Sequence, residues 1–329
     1  MIRSLLWFTG FCLIVTAGAS QAAQSPRTND ADYPRKPVRL VVPFAPGGGT
    51  DIIARTLAQK VGAAWGQSVV VDNRSGGGGT IGTNTVAKAP ADGYTLLLSS
   101  VSVAYLPALY TTLSFDIAKE LVPVALIVTQ PSLLVLHPSI PAKSVAELVT
   151  LANAKPGEIR YSSGGSGSAS HLAVEVFRAK ARINLVHVPY KGGGPAITSL
   201  LGGETQMMIS NVVTLMPHIK AGRMRALAVT GDTRAKSLPE LPTMAEAGMP
   251  GAEFDGWYGL LATAGTPGAI VRKINAEFNR ALTADDVRER FAAAGFEPLG
   301  GTPEKFAGYL KAETRKWTAV VREANIRID

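Results

Sequence analysis

The chain has 329 residues, 46% hydrophobic and 18% charged, with 33 Lys and Arg against 25 Asp and Glu, a formal net charge of +8. That length suits two domains, and the composition excludes a disordered or fibrous chain. The basic residues are scattered without a run of four, so the surplus fits attraction of small anions better than a nucleic-acid footprint.

The N-terminus reads as an export signal. MIRS carries one positive charge, LLWFTGFCLIVT (5–16) is apolar but too short to span a bilayer comfortably, and AGASQAA offers cleavage after Ala19, Ala22 or Ala23. A signal peptide is therefore expected over 1–23. The sole cysteine, Cys12, lies inside it behind Phe11, where a lipoprotein signal wants a small residue. The mature chain is thus expected to have neither disulfide nor thiol chemistry. No later stretch has the length and apolarity of a membrane helix, so a soluble, exported, periplasmic protein is expected.

After an irregular lead-in, short β-rich runs alternate with helical patterns. VRLVV (38–42) is a strand; Ile53, Leu57 and Val61 recur at helical spacing behind it, and Gly62 stops that helix. SVVVD (68–72) and TLLLS (95–99) are the next strands, with a helix near 80–89 between them. Such β-α alternation with apolar strands predicts an α/β fold with a parallel-rich sheet covered by helices on both faces. VPVALIVTQPSLLVLHP (122–138) breaks the rhythm, giving two strand-like pieces around Gln130-Pro131 that can leave one domain and enter another. A second α/β unit follows: helices at 144–154, 168–181 and 194–203, and strands at 159–163, 184–190, QMMIS and RALAVT. GWYGLLA resembles a further strand, with helices over 267–282 and 303–324. The last segment can return to the first domain, and two domains joined by two crossings make a cleft that hinges.

Two stretches have the design of an anion site. PGGGTD (Pro46 to Asp51) ends the first strand and opens a helix; its glycines leave N–H groups unshielded where a helix start adds partial positive charge. Asp51 would cap the helix or sit in its first turn. A plain structural turn accounts for the same residues. SSGGSGSASH (Ser162 to His171) repeats the design in the second unit, with the hydroxyls of Ser162, Ser163, Ser166, Ser168 and Ser170 added to the backbone donors. Facing each other, the two openings could hold the carboxylates of one ligand.

Other motifs are weaker. Gly77, Gly79 and Gly82 in SGGGGTIG satisfy a dinucleotide spacing, but the next strand ends in Ser99-Ser100 where an acidic residue is needed, so no nucleotide cofactor is expected. GGSGS lacks the last glycine of a nucleophile elbow, and the histidines are isolated in sequence. His171 and Glu175 are one helical turn apart and read as a surface or capping pair rather than a metal site. Tyr190 and Lys191 in YKGGGP suit either a ligand contact or a turn. Trp257 and Tyr258 suit either a pocket wall or core.

VRLVVPFAPGGGTDIIARTLAQ, VVVDNRSGGGGTIGTNTVAKAPADGYTLLLSS, VPYKGGGPAITSLLGGE, MPHIKAGRMRALAVT and WYGLLATAGTP, in this order, resemble the receptors of tripartite tricarboxylate transporters, the Bug family. The resemblance covers essentially the whole mature chain. It implies a two-domain periplasmic binding protein fold (type II) with domain 1 over 24–124 and 245–329 and domain 2 over 125–244. It also implies capture of a small carboxylate between the domains and delivery to a two-subunit membrane permease, with no catalysis, cofactor or metal. A monomer is expected, since receptors that open and close usually act singly. The implied ligand contacts come from Phe44, Pro46, Gly47, Gly48, Thr50 and Asp51 on one side. On the other are Ser162, Gly164, Ser166, Ser168, Ala169, Ser170 and His171. Ser99, Tyr190 and Asn211 border the same pocket. Leu106 stands where the family usually has Asn, and Asn211 where members vary, so the ligand does not carry over. A di- or tricarboxylate, an acidic amino acid and an aromatic acid all remain open. A sensory module for a membrane partner and an exported enzyme centred on the Ser162 loop are the alternative readings.

Overall fold

The computed structural model describes residues 32–235, 238–323, 326 and 328; the expected signal peptide lies outside the described residues. Strand β1 (Val38–Val42) leads to helix α1 (Gly49–Trp65), then β2 (Val69–Asn73), a 3-10 turn (Gly77–Gly79) running into α2 (Thr80–Ala87), and β3 (Thr95–Ser100). β1 pairs in parallel with β2 on one side and β3 on the other. Val38, Leu40 and Val42 of β1 pack on Ile53, Leu57 and Val61 of α1, while Val41 points the other way, into a cluster with Val86, Tyr105 and Trp317. Burial on both faces is why this strand is apolar except at Arg39, which pairs with Asp72. Gly66 closes α1 in the left-handed region (φ 64°), a C-terminal stop that a residue without Cβ adopts without strain.

Two short helices follow, α3 (Ser102–Leu109) and α4 (Ile117–Glu120), then the long strand β4 (Leu121–Leu136). Up to Pro131, β4 pairs antiparallel with β9 (Asp255–Thr263); from Ser132 it pairs with β7 (Met207–Asn211), and from Leu133 also with β8 (Arg225–Val229). The two strand pieces expected around Gln130-Pro131 are thus one strand that changes partners. Proline lacks the N–H that a ladder needs, so the change falls there.

The second half of the sheet is built from β5 (Arg160–Ser163), β6 (Val186–Pro189) and β7, all parallel, giving the order β2-β1-β3-β9-β4-β7-β5-β6. Helices α5 (Val145–Ala154) and α6 (Ala169–Ala181) cover one face through Leu148, Leu172, Val176 and Phe177. Helices α7 (Gly193–Leu201) and α8 (Val212–Lys220) cover the other through Ile197, Leu200 and Leu215. After β9 come α9 (Gly268–Thr283), α10 (Asp285–Ala293), the two-residue strand β10 (Glu297–Pro298) and α11 (Pro303–Glu323). These helices pack on the first half, with Ile274, Phe278 and Phe291 in one layer and Phe306 and Trp317 in the other.

Most boundaries agree with the sequence reading to a residue or two; the exception is α1, which passes through Gly62, read as its stop, and ends at Trp65 with Gly66 as its cap. The second strand begins one residue late, at Val69. α3 occupies VSVAYLPALY, which the sequence does not mark as helical. Pro107 sits late in that short helix, where it forfeits only the bond to the Val103 carbonyl. α8 likewise carries Pro217 inside, and α10 has no apolar stripe beyond Val287 and Phe291. Among the described residues no helix is long and apolar enough to cross a membrane.

Candidate functional site

In each half the parallel strands deliver their carboxyl ends to the same side, and there the two halves meet. Five helices start at that place. α1 starts behind Gly48, α3 behind Val101, α6 behind Ser168, α7 behind Gly192 and α8 behind Asn211. They open on one cavity of about 70 Å³, whose wall holds Gly48, Gly49 and Thr50, then Ser100 and Val101, then Gly164, Ser168, Ala169 and Ser170, then Gly193, then Ser210 and Asn211. Phe44, Gln130, Ser132, Phe254, Gly256, Trp257 and Tyr258 complete it. Among the described residues no Lys, Arg, His, Asp or Glu lines the cavity. Its positive character therefore comes from the first-turn N–H groups, which have no intrahelical acceptor and carry the positive end of each helix dipole. Larger hollows lie elsewhere, of about 560 Å³ beside Gln59 and Val69, about 550 Å³ beside Pro131 and Val212 and about 960 Å³ beside Pro107 and Leu310, but none gathers five helix starts.

The loop between β1 and α1 is braced from behind. Asp51, in the first turn of α1, accepts from the Gly47 N–H at 3.1 Å, from Asn73 Nδ2 at 3.0 Å and from Arg55 Nε at 3.0 Å. Asn73 Nδ2 also donates to the Phe44 carbonyl at 3.0 Å. Burial alone would push the Asp51 carboxyl up, but the Arg55 guanidinium with the Gly47 and Asn73 donors holds it below its ordinary range. Asp51 thus ties the loop and occupies Arg55 on the side away from the cavity. Gly49 is a point of close approach: a Cβ there would lie 2.7 Å from Asn211 Nδ2 and 2.8 Å from Tyr258 Oη.

The serine-glycine loop is held by a different device. Ser168 caps α6 by accepting from the His171 N–H at 3.3 Å, and Ser170 Oγ accepts from the Gly164 N–H at 2.9 Å. His171 Nδ1 accepts from the Gly167 N–H at 3.1 Å. Beneath it His187 stacks on His171 with ring centroids 4.1 Å apart, and His187 Nε2 meets Ser163 Oγ at 2.6 Å. Tyr161 stacks on His187 at 4.7 Å and donates its hydroxyl to Glu175, which Arg178 also pairs. Burial pushes His171 down to about 4, against the pull of Glu175, and burial with the neighbouring His171 pushes His187 down to about 3. Both rings are therefore neutral at ordinary pH, with His171 Nδ1 an acceptor.

The rim of the cavity closes through backbone. The Ala45 N–H donates to the Lys191 carbonyl at 3.0 Å. Tyr110 Oη bonds to the Gly77 carbonyl at 2.8 Å and lies 3.2 Å from the Ser166 carbonyl. Gly78, at φ 61°, lies so near the Ser166 carbonyl and Gly167 that a side chain has no room. SGGGGTIG is accordingly a contact pad for the opposite loop.

Of the residues singled out in sequence, Phe44, Gly48, Thr50, Gly164, Ser168, Ala169, Ser170 and Asn211 come together on the cavity wall, with Trp257 and Tyr258. Gly47 and Asp51 lie behind the first loop, and Pro46 beside Gly194 at the rim. Ser99 and Ser162 are buried behind the wall. Ser166 is at the rim and His171 under the second loop. Tyr190 turns its hydroxyl to Ser199 at 2.6 Å. His171 and Glu175 are committed to Gly167 and to Arg178 with Tyr161, and no cluster suited to a metal occurs among the described residues. The sequence reading missed Ser100, Val101, Gln130, Ser132, Gly193, Ser210, Phe254 and Gly256 of the wall. Most sit in runs that read as buried strand; Gln130 and Ser132, polar residues in an apolar run, and Gly193, inside YKGGGP, carried a signal.

A cleft between two α/β halves, lined by opposed helix starts, defines the periplasmic binding protein class. Comparisons agree. The structure titled periplasmic binding protein BugD superposes with a TM-score of 0.87 at 34% identity, covering 90% of this chain and 100% of that one. Rpa4515 of R. palustris, solved with adipate, gives 0.86 at 38% over 90% and 100%. MatC from Rhodopseudomonas palustris, solved with malate, gives 0.84 at 32% over 88% and 100%. Residues 53–326 match the Tripartite tricarboxylate transporter family receptor. The chain belongs to that family.

Proposed function

We propose that the chain captures a small organic acid anion in the cavity between its halves and delivers it to a two-subunit membrane permease. The supporting observation is the convergence of five helix starts on one cavity whose wall, among the described residues, offers no charged side chain. Such a wall favours a carboxylate, because N–H groups and dipoles aimed inward are already paid for in folding and need no counter-ion. The adipate and malate in the two neighbouring receptors point to the same ligand class. On this reading the chain folds as two domains, 24–124 with 245–329 and 125–244. It closes as a monomer, leaves the ligand chemically unchanged and works after removal of residues 1–23.

The test is a thermal-shift series with the exported, processed protein against mono-, di- and tricarboxylates, acidic amino acids and aromatic acids. Trp257 fluorescence gives a second signal, since that ring lines the cavity. Ligand at about 100 times Kd should stabilise by roughly 2.7 kcal/mol. If no organic acid moves either signal, the reading is wrong.

A further inference from the structure

We propose that the ligand carries a hydroxyl group beside its carboxylate, and that the Gln130 side-chain carbonyl accepts its hydrogen bond. This rests on the cavity being the organic-acid site. Gln130 lies in β4 opposite Gly256, is 1% exposed and lines the cavity. Its Nε2 donates to the Ala294 carbonyl at 2.8 Å. A carbonyl can only accept, so that bond fixes which end of the amide is nitrogen. Oε1 is left as a buried acceptor with no partner among the described residues.

What meets Oε1 must be a donor, so a carboxylate cannot sit there. No protein donor among the described residues reaches Oε1, and Trp257 Nε1 gives its hydrogen to Glu313 at 2.8 Å. An ammonium group is the other donor an organic acid could bring. Five inward-pointing helix dipoles and a wall without a carboxylate oppose a cation, so the neutral hydroxyl fits better.

Succinate, malate and aspartate differ only in H, OH or ammonium on one carbon, and calorimetric titration of the processed protein with the three reads the proposal. Malate should bind about tenfold tighter than succinate, equivalent to 1.4 kcal/mol, and tighter than aspartate. The malate-to-succinate ratio should fall to within about twofold in Gln130→Met. Succinate binding as tightly as malate, or aspartate more tightly, overturns the hydroxyl while leaving an organic-acid site in place. A ratio that survives in Gln130→Met overturns the assignment to this residue. If the four-carbon acids fail, glutarate against 2-hydroxyglutarate is read in the same way. Failure of every carboxylate removes this inference together with the proposed function.

Discussion

Gly78 and Ser166 meet backbone to backbone across the cleft, with Tyr110 reaching over both loops. A methyl group on Gly78 would overlap the Ser166 carbonyl, and because the obstacle is main chain it cannot rotate aside. Gly78→Ala should therefore prop the rim apart and weaken ligand binding by at least about tenfold. The left-handed φ adds strain of roughly 1 kcal/mol, so the fold itself should survive. Calorimetry with small-angle scattering checks this; unchanged affinity at an unchanged radius of gyration would rule out the contact as part of closure.

Gly49 should respond differently. Its Cβ would crowd the tips of Asn211 and Tyr258 rather than backbone. Asn211 also caps α8 by accepting from Thr214 N–H at 3.3 Å and Thr214 Oγ1 at 2.7 Å, so it is not free to retreat. Gly49→Ala should lower affinity, and Gly49→Ala with Asn211→Ala should recover part of the loss. The double-mutant cycle measures that recovery.

Stability should depend on pH through the stacked histidines. Their folded values, about 4 for His171 and about 3 for His187, lie below the ordinary 6.5. Between pH 6.5 and about 4 the unfolded chain takes up protons that the folded chain refuses, so stability falls with pH in that window and is fully present above it. Each unit of difference is worth about 1.4 kcal/mol at most, so the pair can contribute a few kcal/mol. Protonating His171 Nδ1 would also set two donors against each other at Gly167. Melting temperatures from pH 7 to pH 4 should drop less steeply in His187→Asn, and equal slopes would show that other groups dominate.

Ser168→Ala removes the cap of α6 and should cost about 1 kcal/mol. Asp51→Ala should cost more, roughly 1–3 kcal/mol, because it strands the Gly47 N–H and releases Arg55. Chemical denaturation reads both losses.

The strands and long amphipathic helices were legible because each records its packing in its own residues. Val38, Leu40 and Val42 face one layer and Val41 the other, and Ile53, Leu57 and Val61 return at helical spacing. The two loops were legible as candidates because glycine and serine at a helix start leave N–H groups unshielded, although a plain turn fits the same residues. What was not legible depends on residues distant in sequence. That Gly78 meets Ser166 is a property of the pairing of two halves, and nothing in SGGGGTIG names its partner. His171 and His187 looked isolated because the rings that stack in space are sixteen positions apart in sequence. α3 was hidden by Pro107, and Gln130 passed as a strand breaker beside Pro131.

β4 has a mechanical consequence. In the proposed two-domain motion, rotation is smallest where the strand trades β9 for β7, at Pro131 and Ser132. Gln130 sits next to that pivot, whereas Gly78 and Ser166 meet at the rim. An acid could therefore be sampled at Gln130 while the mouth still gapes, and only then be sealed by the outer loops. Discrimination would belong to encounter, and retention to shutting.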